Sequence, residues 1–137
     1  MNSLDVSVSG MIAQRTRMEV AIANLANQST IQDEHGNNVP YKRRFALLAS
    51  GDPSGTTNES RMHGVHVAAI ETEDAPPIMR YEPGSPFANE EGYVAYPNID
   101  PMTETINAMD AQRAYEANLA AAEATKAMVA QSLRILA

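Results

Sequence analysis

The last part of the chain constrains the fold most, because residues 101–136 contain no glycine and no proline after Pro101. Asp100 can cap a helix here, with Pro101 in the first helical position and Glu104 adding negative charge to the first turn. One helix of this length would measure about 54 Å. A compact globule made of the whole chain would be only about 37 Å across. The sequence therefore predicts a helix that extends beyond its own fold.

The apolar side chains of this predicted helix are not confined to one stripe. Small alanines surround much of it, and its large apolar residues are Met102, Ile106, Met109, Leu119, Met128, Val129, Leu133 and Leu136. A helix that only covers a core needs a single apolar face. Burying each large apolar side chain is worth about 1.5–3 kcal/mol. We therefore expect other subunits to cover the surface that this chain leaves over.

A second helix is predicted from about Ser3 to Asn27. Its apolar positions recur at alternating intervals of four and three residues, the heptad pattern of a helix that packs against a partner helix. They are Leu4, Val8, Met11, Met18, Ile22 and Leu25, with Arg15 as a single charged interruption. We expect the two terminal helices to form an antiparallel, coiled-coil-like pair that supplies an assembly interface.

The middle of the chain has a different composition, since residues 40–101 hold all eight prolines and five of the seven glycines. Four short β-branched or aromatic runs, residues 39–48, 65–70, 78–81 and 93–96, are separated by turn-forming sequences. The predicted fold class is therefore α+β. The expected division is a terminal helical core domain, residues 1–30 and 100–137, and a β-rich middle domain, residues 31–99, with a flexible loop near 49–63.

Composition disfavours several classes of function. A net charge of −7 disfavours a nucleic-acid binder. The chain offers neither a basic and apolar leader nor a run of apolar residues long enough to span a membrane. With no cysteine and none of the common hydrolase or phosphate-binding motifs, we expect neither an enzyme nor a cofactor.

The three histidines are the candidate metal ligands of the chain. His63 and His66 are three residues apart, and His35 lies near Asp33 and Glu34. No third ligand accompanies the pair, so solvated loop histidines are favoured and no metal site is predicted.

A basic triplet, Lys42, Arg43 and Arg44, is a possible electrostatic contact. It could pair with acidic residues of a neighbouring subunit, such as Glu71, Glu73 or Asp74. Alternatively, it could protect an exposed strand edge by its charge. The sequence leaves both interpretations open.

Three motifs resemble those of bacterial flagellar rod and hook proteins, and of the proximal rod members in particular. They are NLANQST at residues 24–30, VPYKRRF at 39–45 and YEPGSPFANEEGYVAYPNID at 81–100. The positions that carry the resemblance are Asn24, Leu25, Ala26, Asn27, Thr30, Tyr81, Pro83, Gly84, Pro86, Gly92, Tyr93, Val94, Pro97 and Asn98. The first motif departs from many relatives at Ser29, and no Gly-Tyr or Gly-Phe pair follows it.

The resemblance implies a structural subunit of the proximal rod, polymerising through its terminal helices around the export channel. It implies a location in the periplasmic part of the basal body, reached through flagellar export without a cleavable signal peptide. The implied partners are other copies of the chain, other proximal and distal rod proteins, proteins at the junction of the rod with the MS ring, and the export apparatus in transit. A coiled-coil adaptor or an export chaperone is the alternative, although neither would need the Pro- and Gly-rich middle.

Overall fold

The computed structural model describes residues 3–56, 58 and 63–136. Its main elements are α1 (Ser3–Ala26), β1 (Arg44–Ser50), β2 (Val65–Thr72), β3 (Ile78–Tyr81), β4 (Tyr93–Tyr96) and α2 (Pro101–Leu136). The predicted α+β class is confirmed, with two long helices and a middle of antiparallel strands. Neither of these helices is long and apolar enough to cross a membrane.

The long C-terminal helix begins where the sequence predicts it. The N–H of Met102 and the hydroxyl of Thr103 both donate to the Asp100 carboxylate, at 3.2 and 2.6 Å. The hydrogen bond from Thr103, followed by that from the Met102 N–H, lowers the pKa of Asp100. Asp100 is therefore the N-cap of α2, and its charge is held next to the positive end of the helix dipole.

The two helices run antiparallel. Near one end of the pair, Asn24 of α1 donates a hydrogen bond to Glu104 of α2. Near the other, the backbone of Gly10 lies so close to Asn118 that a Cβ added at Gly10 would be 2.7 Å from Asn118 Oδ1. The numbers of the paired residues run in opposite directions, which confirms the predicted antiparallel pair.

The first hairpin lies along α1. β1 pairs antiparallel with β2, and the register shifts between Leu47 and Leu48 because Ala68 is an extra residue on β2. Asn24 bonds the backbone of Arg44 at the start of β1, while the N–H of Val65 at the start of β2 donates to Ser9 Oγ at 3.1 Å. The hairpin therefore extends beside α1 from its C-terminal end toward its N-terminal end. Residues 57 and 59–62 of the loop predicted to be flexible lie outside the described residues.

The second hairpin precedes α2. β3 pairs antiparallel with β4, and the rings of Tyr81 and Tyr93 meet edge to face with centroids 5.3 Å apart. Gly92 has a φ of 82°, a conformation that favours glycine. A side chain there would also meet the Tyr81 ring at 3.0 Å. The compact turn between these strands thus explains why the sequence places glycine before the last strand.

The buried hydrophobic residues are mostly small. Among the described residues they are Ala13, Ala21, Val94, Ile99, Ala111 and Ala122. The large apolar side chains of both helices contribute none of them. This chain therefore buries mostly alanines, and the described leucines, isoleucines and methionines of its helices stay exposed or half-buried.

Candidate assembly interface

The contact between the helices is made by small and polar residues. On α1 the buried positions are Ser7, Gly10, Ala13, Ala21 and Asn24. On α2 they are Glu104, Ala111 and Ala122, with half-buried residues such as Ala108, Tyr115 and Asn118 between them. Most of these α2 positions also alternate by three and four residues. Small side chains let the two backbones approach closely. This contact therefore buries few of the large apolar side chains of the helices.

The apolar heptad predicted on α1 is a different face from the one that meets α2. Leu4, Val8 and Ile22 are exposed, Ile22 by 53%. Met11, Met18 and Leu25 are half-buried. Within the chain, neither α2 nor the first hairpin fully covers this stripe. The predicted interface residues of α1 therefore remain available at the surface.

The predicted interface residues of α2 are exposed to a similar or greater degree. Those in the part paired with α1 are Met102 at 67%, Ile106 at 51%, Met109 at 47% and Leu119 at 40% exposed. Removing such large apolar side chains from water stabilises a contact by an area-dependent amount, about 25 cal/mol per Å². Met102, Ile106 and Met109 share one stripe of α2 by their spacing of four and three residues, and an exposed apolar stripe is typical of interaction sites.

The C-terminal end of α2 extends past α1. The pairs Asn24–Glu104 and Gly10–Asn118 set Ser3, the first described residue, opposite Thr125. Residues 126–136 form about 16 Å of helix beyond that point, and we call them the overhang. Residues 126–135 are all exposed, including Met128 at 63%, Val129 at 55% and Leu133 at 62%. The side chain of Leu136, also predicted at the interface, lies outside the described ones.

The opposite end of the helix pair holds a buried polar cluster. We call it the polar junction: Asn24, Tyr41, Arg43, Glu73 and Glu104, with the backbone of Arg44. Asn24 is fully buried and Glu104 is 1% exposed. The Asn24 amide donates to Glu104 Oε2 at 2.9 Å and to the Arg44 carbonyl at 2.8 Å. Its oxygen accepts from the Arg44 N–H at 3.0 Å and from the Tyr41 hydroxyl at 3.3 Å.

Arg43 completes this junction by supplying the positive charge. Its Nε donates to Glu104 Oε1 at 2.5 Å, and a second guanidinium nitrogen lies 3.3 Å from Glu73. Both oxygens of the buried Glu104 carboxylate therefore have donors, as a buried charge requires. The junction joins α1, the start of β1, the residue after β2 and the first turn of α2.

The basic triplet is engaged within the chain. Lys42 pairs with the exposed Asp74 at 3.0 Å, and Arg43 belongs to the polar junction. The guanidinium of Arg44 lies over the ring of Tyr41, 5.5 Å from its centroid. Two of the acidic residues expected on a neighbouring subunit, Glu73 and Asp74, are thus intramolecular partners.

The family motifs occupy the points where elements begin and end. At the end of α1, Asn27 Nδ2 donates to the Ala23 carbonyl, and the Thr30 hydroxyl donates to Asn27 Oδ1. In the motif at residues 81–100, Glu82 to Gly92 form the turn of the second hairpin, and Val94 is the buried residue of strand β4. Asn98 donates to the Pro76 carbonyl at 3.3 Å shortly before α2. In the sequence, Asn24 is marked by its place in the NLANQST motif. Glu104 is marked only as a negative charge in the first turn of α2.

All three histidines lie among the described residues, and His63 is exposed just before β2. His66 lies in β2 with Nδ1 2.8 Å from the Gly51 carbonyl oxygen. His35 lies in the loop after α1, where its N–H donates to Asp33. Within the described ranges, no group of three or more histidine and acidic side chains could hold a metal ion.

Comparison with known proteins gives matches at both ends and along the whole chain. Residues 4–30 match the family described as flagella basal body rod protein. Residues 90–135 match the C-terminal region described for the flagellar basal body rod FlgEFG proteins. Both matches include residues that carry the resemblance seen in the sequence.

Three relatives that align along the whole chain carry the same name. The chain is 40% identical over 144 residues to the flagellar basal-body rod protein FlgC of Bacillus subtilis. It is 34% identical over 136 residues to that of Salmonella typhimurium and 31% identical over 135 residues to that of Buchnera aphidicola. Each alignment covers 98% of this chain and 96% of the relative.

Proposed function

Because this chain belongs to the FlgC family of flagellar basal-body rod proteins, we propose that it polymerises through its terminal helices into the proximal rod. In this role it is a structural part of the periplasmic drive shaft around the export channel, and it catalyses no reaction. The single observation that best supports the proposal is the inversion of apolar burial: alanines fill the contact between α1 and α2, while the large apolar residues of both helices stay exposed.

The proposed interface is the exposed apolar surface of the helix pair. Leu4, Val8 and Ile22 represent it on α1, and Met102 and Leu133 represent it on α2. We propose residues 1–30 and 100–137 as the assembly domain, and 31–99 as the part that faces adjoining subunits. The proposed partners are further copies of this chain, other proximal and distal rod proteins, proteins at the junction of the rod with the MS ring, and the export apparatus in transit. Nucleic acid and a membrane span are not part of this proposal.

Whole-length similarity to rod proteins favours this role over a coiled-coil adaptor or an export chaperone. An adaptor or chaperone would act outside the finished rod, whereas a rod subunit remains in it. The two possibilities therefore differ in where the chain is found.

The test is complementation of a strain lacking the gene, followed by purification of its basal bodies. We expect the deletion strain to be non-motile and the restored chain to co-purify with the rod after the export apparatus has been stripped by detergent. A matched control is the same preparation from a strain blocked in a later step of assembly, which should still contain the chain. Motile cells whose purified rods lack the chain would refute the proposal.

A further inference from the structure

The packing between the helices includes few large side chains that could fix how far α2 is displaced along α1. Many of the residues that meet across the pair are small, among them Gly10, Ala21, Ala111 and Ala122. The inward positions of α2 recur with a heptad spacing. Moving α2 by seven residues therefore keeps the same face of α2 toward α1, although it brings Tyr115 to the place of Ala108 or of Ala122. A feature specific to one register is needed beside this packing.

The polar junction supplies such a feature, because its bonds form in one register alone. A shift of seven residues in one direction would put Ala111 opposite Asn24. A shift in the other direction would put Pro97 there, which precedes α2. In either case Asn24 loses Glu104, and the carboxylate of Glu104 loses its amide donor. A buried polar group left without a partner costs about 1–3 kcal/mol.

Arg43 strengthens this selection. It reaches Glu104 from the strand side, while Asn24 also holds the backbone of the adjacent Arg44. A shifted α2 would therefore separate Glu104 from both of its donors at once. The best-attested role of a buried polar residue between helices is to fix register and orientation.

We propose that the Asn24–Glu104 pair, supported by Arg43, sets the register of α2 on α1 and thereby the length of the overhang. These are positioning residues. A slip of one heptad would lengthen or shorten the overhang by about 10 Å. The effect on register is a property of the single chain, while its consequence for assembly rests on the proposed function.

The experiment measures register by intramolecular disulfides in the purified chain after mild oxidation, so the result does not depend on which complex or compartment holds the chain in the cell. The natural sequence has no cysteine, so each engineered pair is the only source of a cross-link. Cysteines at Ala21 and Ala108, one turn from the Asn24–Glu104 pair, report the native register. Cysteines at Ala21 and Tyr115 report a slip of seven residues in one direction, and cysteines at Gln14 and Ala108 report the same slip in the other.

With the junction intact, we expect the native reporter to cross-link and the two slip reporters to remain reduced. Glu104→Ala should raise the yield of at least one slip reporter about tenfold, the ratio expected when a penalty near 1.4 kcal/mol is removed. Glu116→Ala is the matched control, because Glu116 lies on the same helix but is exposed and bonds only Gln112. It should leave all three yields unchanged.

Two results would overturn the proposal. The first is an unchanged native cross-link in Glu104→Ala with no slip product. The second is loss of all three cross-links, since that would mean the pair holds the helices together without choosing between registers. Both results are independent of whether the chain is found in the rod, so they are distinguishable from failure of the proposed function.

Discussion

The two ends of the helix pair differ in how completely the chain satisfies them. At the polar junction, the side-chain amide of Asn24 and both carboxylate oxygens of Glu104 find partners within the chain. At the overhang, residues 126–135 are all exposed and include several large apolar side chains. The polar groups at one end are satisfied within the single chain, whereas the large apolar side chains at the other end stay exposed. The contrast teaches that stability of the subunit and availability for assembly are located at opposite ends of one long helix.

The largest expected effect comes from placing a negative charge on the overhang. Met128→Glu and Leu133→Glu should each abolish or nearly abolish motility, because an apolar contact with another subunit would have to bury an unpaired carboxylate. The folded chain should be unaffected, since both residues are more than 60% exposed in it. Swimming zones in soft agar measure the effect, and circular dichroism measures the retained helix.

Gln131→Glu is the matched control for the charge itself. It adds the same charge to an exposed polar position of the overhang, where burial in an apolar contact is not expected. We expect it to reduce motility much less. If all three variants swim like the parent strain, the overhang is not a contact surface. The exposure of its apolar side chains would then have no role in assembly.

The polar junction is tested by removing its positive charge. Arg43→Ala would leave the buried carboxylate of Glu104 uncompensated, and we expect a loss of about 3 kcal/mol in the free energy of unfolding. Urea denaturation followed by circular dichroism measures it. The Glu104 side chain is only 2% exposed with Arg43 in place, so the intact junction leaves its carboxylate little contact with water.

Lys42→Ala is the control for this experiment, because Lys42 is the neighbouring residue but pairs with a carboxylate that is 97% exposed. Exposed ion pairs contribute little, and the expected cost is below about 1 kcal/mol. Equal costs for the two variants would mean that burial does not distinguish the junction from an ordinary surface pair.

The sequence predicted the elements well because helices and strands depend on local patterns. The span of α2, its cap at Asp100 and the last two strands follow from glycine, proline and β-branched residues. The first strand begins at Arg44, later than the predicted run from Val39, because Pro40 and the residues after it lead into the polar junction. These differences are confined to element boundaries.

The pairing face could not be predicted in the same way, because the strongest apolar pattern of α1, its heptad, lies beside the face that meets α2. Ser7, Gly10, Ala21 and Asn24 also recur at near-heptad spacing, but small residues carry little hydrophobic signal. The contacts of Asn24 with Glu104 and of Arg43 with Glu104 join residues 80 and 61 positions apart. Only the tertiary structure brings such partners together. The one signal in the sequence is that Asn24 shares a helix face with small residues, which could have indicated the polar junction.

The smallest expected effect tests the close contact between the helices at Gly10 and Asn118. Gly10→Ala would place a Cβ 2.7 Å from Asn118 Oδ1 and 2.9 Å from its Cγ. Overpacking of this kind costs about 1–3 kcal/mol, while replacing glycine within a helix returns up to about 1 kcal/mol. We expect a net loss of about 1 kcal/mol in the free energy of unfolding, since the end of the Asn118 side chain can move only by giving up its 2.8 Å bond to the Ala114 carbonyl.

The same contact offers its own control in Asn118→Ala, which removes the atoms that the new methyl group meets. The double variant Gly10→Ala, Asn118→Ala should be more stable than the sum of the single changes predicts, and a double-mutant cycle measures that coupling. Additive costs would show that the helices are not in close contact at Gly10. The antiparallel register would then rest on the polar junction alone, which makes this weakest perturbation an independent check on the position of the overhang.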